Sequence, residues 1–156
     1  MKGRKMRKAG VLLVAAVVVA GCGGGSARLS KAEYQKKLKA EGAQLDQAVK
    51  GLDFAHMANM SALATKLDTL QGRFDQVAND IEGLKPPKEV AADNRKIADA
   101  LHKFAAGFRR IRDAARAKQR SRITALLGQL QEADREGRSA SNDLKAKGYD
   151  VGTFGS

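Results

Sequence analysis

Two long stretches of the chain carry apolar residues at steps that alternate between four and three positions. The first comprises Leu63, Leu67, Leu70, Phe74, Val77, Ile81 and Leu84. The second comprises Val90, Asn94, Ile97, Leu101, Phe104, Phe108, Ile111 and Ala115, with Asn94 as its only polar member. This is the a/d heptad spacing of helices that pack along an apolar seam. Lys85-Pro86-Pro87-Lys88 separates the two predicted helices, because Pro87 cannot lie inside a helix.

Two weaker helical patterns flank this pair. The first begins at Ser30, which forms a capping box with Glu33, and continues through Tyr34, Leu38, Leu45, Val49 and Leu52. The second comprises Ile123, Leu126, Leu127, Leu130, Ala133, Gly137, Ala140 and Leu144. Ser121 is placed to cap that helix, and Gly148, after two lysines, is placed to end it.

The sequence therefore predicts an all-α fold, an up-down-up-down four-helix bundle over residues 30–148. A tail, residues 149–156, could fold back through Tyr149, Val151 and Phe154. The alternative is one long antiparallel helical hairpin, Ser30–Leu84 against Lys88–Ala146, with no breaks near residues 55 and 119. Asn94 has two interpretations: a buried residue that fixes helix register, or an exposed one near a helix start.

The first 22 residues have the pattern of an export signal. Five cations among residues 1–10 precede ten apolar residues, 11–20, which are too few to span a bilayer as a helix. Val19-Ala20-Gly21-Cys22 resembles the lipobox of bacterial lipoproteins. The resemblance implies that the signal peptide 1–21 is removed and that the Cys22 thiol takes a diacylglyceryl group. Cys22 is the only cysteine, so it has no intramolecular disulfide partner.

The lipobox also implies a location. Acyl chains such as palmitate on Cys22 would hold the protein on the outer face of the cell membrane, or on the outer membrane of a cell that has one. Residues 22–29, which include Gly23-Gly24-Gly25-Ser26, would form a short flexible tether. The chain downstream resembles small Ala- and Lys-rich helical lipoproteins of the bacterial envelope, a resemblance that carries no activity with it.

Positive charge is concentrated late in the chain. The formal net charge is +12, and five of the cations belong to the signal. A basic cluster with only Asp113 against it comprises Arg109, Arg110, Arg112, Arg116, Lys118, Arg120 and Arg122. It is either a solvated face or a surface for an anionic cell-wall polymer or an envelope protein. Export makes nucleic acid an unsuitable partner.

The only two histidines both follow an aspartate by three positions, as Asp53–His56 and Asp99–His102. Carboxylate and imidazole at this spacing share a helix face, as in the metal sites of ferritin-like bundles. No nucleophile–base motif or phosphate-binding loop is visible, so we expect neither an enzyme nor a cofactor. The sequence favours a lipid-anchored, non-enzymatic envelope module, with a metal-binding or redox bundle as the alternative.

Overall fold

The computed structural model describes residues 27–50, 59–152 and 154. These residues form four α-helices, α1 (Lys31–Lys50), α2 (Met60–Glu82), α3 (Ala91–Arg116) and α4 (Arg120–Ala146), with a 3-10 turn at Lys88–Val90 before α3. The all-α prediction is confirmed. Cys22, Leu52, Asp53 and His56 lie outside the described residues. None of the described helices has the length and apolar character needed to cross a membrane.

The helices run up, down, up and down, with α2 against α3, α3 against α4, and α1 against α2. The start of α1 lies beside the α2–α3 connection, because the Leu29 N–H donates to the Lys85 carbonyl over 2.7 Å. The α3–α4 turn therefore lies at the opposite end. Lys118 occupies the left-handed region there, with φ 57°, and reverses the chain. The hairpin alternative is wrong, since α3 ends at Arg116 and α4 returns along it.

The heptad stripes of α2 and α3 form the centre of the core. Three phenylalanines join them, with the Phe74 ring centroid 5.5 Å from Phe104 and 5.0 Å from Phe108. In α1 and α4, some residues of the predicted apolar stripes are not buried: Val49 is 45% exposed and Leu127 is 49% exposed. Adjacent residues on a helix point about 100° apart, so Leu126 takes the core position beside Leu127.

Asn94 is buried, as the first of its two interpretations requires. Its side-chain amide donates to the Ile81 carbonyl over 2.9 Å, at the end of α2. Its side-chain oxygen accepts from the Tyr34 hydroxyl of α1 over 3.1 Å. One side chain of α3 therefore fixes the register of two other helices.

The predicted helix start at Ser30 is confirmed, but the one at Ser121 is wrong. The Ser30 N–H donates to the Glu33 carboxylate over 2.9 Å, and the Glu33 N–H donates to Ser30 Oγ over 3.3 Å. The Ser30 hydroxyl also donates to the Glu33 carboxylate over 2.7 Å, and this bond, followed by the one from the Ser30 N–H, lowers the pKa of Glu33. The fourth helix already begins at Arg120, after Gln119, whose side chain makes no capping bond. The chain reverses at the left-handed Lys118, so the cap position falls at Gln119, two residues before Ser121.

The tail folds back and becomes part of the core. Gly148, with φ 75°, ends the last helix as predicted. Tyr149, Val151 and Phe154 are all buried, and the Tyr149 ring meets the Tyr34 ring edge-on at 5.8 Å. The tail thus holds α1 against the other helices, and the folding unit extends to at least Phe154.

The hydroxyl of Tyr149 donates to the carboxylate of Glu89 over 2.6 Å. This bond is the main cause that lowers the pKa of Glu89, while burial and then the bond raise the pKa of Tyr149 to about 12. A lowered carboxyl pKa gives stability that is present above its usual value and lost as the pH falls. A raised tyrosine pKa gives stability that is present below its usual value and lost as the pH rises.

Tyr149→Phe is therefore expected to flatten the pH dependence of unfolding at both ends. Relative to the unchanged protein, the thermal midpoint should fall less from about pH 5 to about pH 3, and less above about pH 10. Thermal melts followed by circular dichroism across this range measure the difference. Parallel curves for the two proteins at all pH values would contradict the prediction.

Candidate functional site

The basic cluster forms one end of the bundle, which we call the cationic pole. It comprises the last turns of α3, the α3–α4 turn and the first turn of α4. The structure brings all seven predicted cations together there: Arg109, Arg110, Arg112, Arg116, Lys118, Arg120 and Arg122. An α-helix rises about 1.5 Å per residue, so the 26 residues of α3 place the pole roughly 40 Å from the start of α1.

Arg112 is committed to holding helices together. Its side chain is only 16% exposed and forms an ion pair with Asp68 of α2. It also donates to Asp113 over 2.9 Å and to Gln71 over 3.0 Å. The bonds to Asp68 and then to Asp113 raise the pKa of Arg112. A guanidinium engaged in this way has few donors left for a ligand.

Three other arginines of the pole have weaker partners. Arg116 lies 3.8 Å from the Asp68 carboxylate, Arg110 donates to Gln129 over 2.8 Å, and Arg122 donates to Gln119 over 3.3 Å. All three side chains lie on the surface. Exposed contacts of this kind contribute little free energy, so an incoming anion can replace them.

Arg109, Lys118 and Arg120 are the cations most open to a partner. All three are exposed, and no hydrogen bond or ion pair joins their side chains to another described residue. Lys118 and Arg120 line a shallow depression with residues 59–61 at the start of α2. Asn59 caps that helix by accepting from the Ala62 N–H over 2.9 Å. The α2 start therefore adds its positive helix end to the pole.

The cationic pole contains most of the net charge of the described chain. Residues 104–131 contain seven cations and one acid, whereas the remaining described residues contain 17 cations and 15 acids. Elsewhere on the surface, Lys103 pairs with Glu136, Lys96 with Asp143, and Arg138 with Asp134. The positive field of the protein is therefore directed to one end.

The metal hypothesis receives no support from the described residues, which contain no cluster of three or more metal-ligating side chains. His102 does not use Asp99 as a partner. Its ring nitrogens lie 3.4 Å from Asp75 and 3.7 Å from Glu82, both on α2. The spacing within one helix could not reveal these acids, because they come from the register of the neighbouring helix. Asp53 and His56 lie outside the described residues.

A second feature, an apolar cleft of about 210 Å³, was not predicted from the sequence. It lies between α1, α3 and α4, with Phe154 of the tail as a further wall. The only sequence signal was the pair of glycines, Gly42 and Gly137, that interrupt the apolar stripes of the first and fourth helices. Both glycines line the cleft.

Comparison with known proteins adds no family to this description. No protein-family model matches the chain, and neither does a curated protein or a solved structure.

The different surroundings of Arg112 and Arg120 give a test of the site description. Arg112→Gln should lower the free energy of unfolding by about 1 kcal/mol, because it removes charged hydrogen bonds that join α3 to α2. Arg120→Gln should change it by less than about 0.5 kcal/mol. Urea unfolding of both variants measures the difference. Equal losses would show that Arg112 is no more structural than its neighbour.

Proposed function

We propose that the protein is a lipid-anchored, non-enzymatic module of the bacterial envelope whose cationic pole binds an anionic polymer of the cell wall. The observation that carries the proposal is the separation of charge along the bundle. One end has seven cations against two acids, Asp113 and Asp68, and the rest of the described chain is close to neutral. A concentrated positive field attracts polyanions, and this attraction weakens as salt increases.

The geometry of the chain supports a partner away from the anchor. Arg28 donates to the Pro86 carbonyl over 2.9 Å, so the first described residues lie at the end opposite the pole. If Cys22 carries the acyl chains, the short tether 22–29 keeps that end near the lipid. An upright bundle then presents the pole roughly 40 Å further out. At that distance the pole is beyond the electrostatic reach of anionic lipid head groups on the same membrane, because salt screens charge over roughly 10 Å.

The chemistry of the pole favours binding over catalysis. Guanidinium and ammonium groups stay charged at neutral pH and hold anions by charge and hydrogen bonds. None of the seven cations lies beside a histidine or cysteine in the part of the chain that the structure describes. General acid–base catalysis at neutral pH usually needs a group that titrates there. The proposed role is therefore retention or spacing within the envelope.

The polymer contact is tested by the triple variant Arg109→Gln, Lys118→Gln, Arg120→Gln. Each removed cation should weaken binding about fivefold, from about 1 kcal/mol per charge near an anionic surface. Retention on purified cell wall at low and at moderate salt is the measurement.

The matched control for this experiment removes three exposed lysines outside the pole: Lys37, Lys88 and Lys145. Both triple variants have the same net charge. If the two variants lose the same amount of retention, overall charge rather than the pole is responsible, and the proposal of a polymer-binding pole fails.

The anchor is tested separately by Cys22→Ser. Cells grown with labelled palmitate should incorporate label into the unchanged protein and none into the variant, since Cys22 is the only thiol of the chain. Label retained in the variant, or absent from both proteins, would contradict lipidation at this residue. This result is independent of the cell-wall assay.

A further inference from the structure

The cleft lies along the seam between α1 and α4. Among the described residues, α2 packs extensively on α3 and α3 on α4, and α1 packs less extensively on α2, whereas α1 and α4 make few contacts. The tail fills the seam near Lys39, where Gly152 approaches the lysine side chain. Beyond Phe154 no other described residue fills the seam. Spaces between bundle helices are common places for ligands to bind.

The walls of the cleft are built from buried apolar side chains. Leu45 comes from α1, Ile97 and Leu101 from α3, and Phe154 from the tail; each is less than one-tenth exposed. Phe104 adds an aromatic edge. Ser141 of α4 is the buried polar residue of the lining. The cleft thus offers an apolar surface with one neutral hydroxyl.

The charges at the rim are already compensated. Arg138 donates to the Asp134 carboxylate over 2.8 Å, and Asp46 pairs with Lys50 over 2.5 Å. Both pairs are exposed and therefore weak, but each neutralises the charge of the rim residues, so the rim has no free charge to attract an ion. The rim therefore favours an uncharged ligand.

Gly137 is not needed for a close approach between helix backbones, so a larger residue would fit at this position of the cleft. A methyl group added at Gly137 would meet the Ala100 Cβ at 3.6 Å, an ordinary contact. Gly107 on α3 differs, because a methyl group there would collide with the Leu130 side chain. Glycine at 107 allows a close approach, whereas glycine at 137 leaves room.

We propose that this cleft binds an uncharged hydrocarbon group of about eight to ten non-hydrogen atoms. The size follows from the volume of about 210 Å³. Closed apolar cavities of roughly 150 Å³ in proteins already hold benzene. Such a group could belong to a free aromatic molecule or to the end of a lipid chain. The inference does not depend on the cationic pole or on its polymer.

The test uses the purified full chain and two probes in separate titrations, indole and dihexanoylphosphatidylcholine below its micelle concentration. Methyl resonances of Leu45, Ile97 and Leu101 report binding by nuclear magnetic resonance. At least one probe should change the chemical shifts of these resonances up to a saturating value. Tighter binding of indole would indicate a free aromatic molecule, and tighter binding of the phospholipid would indicate the end of a lipid chain. Shifts with neither probe, or shifts confined to methyl groups outside the cleft, would overturn the proposal.

Two variants that fill the cleft complete the experiment. Gly137→Leu places a side chain in the space and should weaken binding at least about tenfold, since the ligand and the leucine compete for one volume. Gly128→Leu is the matched control on the same helix, because a Cβ there has no neighbour within 4 Å. Binding should stay within about twofold of the unchanged protein in this control.

Equal binding by the Gly137→Leu variant and the control would overturn the proposal. Ser141→Leu fills the same space from the next turn of α4 and replaces Gly137→Leu in the comparison if that variant does not fold.

Discussion

The hydrogen bonds of Asn94 determine how three helices are aligned. A buried amide that lacks a partner costs about 1–3 kcal/mol, so a shift of one turn between α3 and either neighbour would be penalised. Apolar heptads alone tolerate such shifts, because every turn presents a similar stripe. The bonds from Asn94 to Ile81 and from Tyr34 to Asn94 select one register. The position of the cationic pole and the opening beside α1 both follow from that register.

Charge is divided between a supporting part and a free part. Near the start of α1, the buried Asp93 carboxylate forms an ion pair with Lys147 over 2.6 Å. The Lys31 ammonium lies 4.7 Å from the centroid of the Tyr149 ring. At the opposite end only Arg112 is strongly bound within the described fold. Cations near the start of α1 take part in contacts within the fold, whereas most cations of the pole are exposed to solvent. A bundle held together in this way can present a dense positive surface without straining its core.

The sequence predicted the parts of the fold that depend on local or strongly periodic signals. The capping box at Ser30, the proline break and the glycine stop at Gly148 each satisfy backbone groups within a few residues. The central helices followed their heptads, because both helices bury a continuous stripe. Prediction failed where a chain reversal or a contact with another helix decides the outcome. Ser121 lost its capping role to the turn at Lys118, and the partners of His102 come from α2.

The candidate sites divide in the same way. The cationic pole was visible from sequence, since its residues are close together along the chain. The sequence did not show that Arg112 is held by an ion pair while other cations of the pole are exposed, because its partner Asp68 is 44 positions away in the chain. The apolar cleft is formed jointly by three helices and the tail. A glycine that interrupts the apolar stripe of one helix does not show which residues of the other elements lie opposite it.

The buried tail also determines when the fold can be completed during synthesis. All four helices precede Gly148 in the chain, yet the groove beside α1 closes only when Tyr149, Val151 and Phe154 are present. These side chains follow all four described helices in the chain, so the ribosome adds them after the helices. A nascent chain therefore lacks part of its core until the tail has been made.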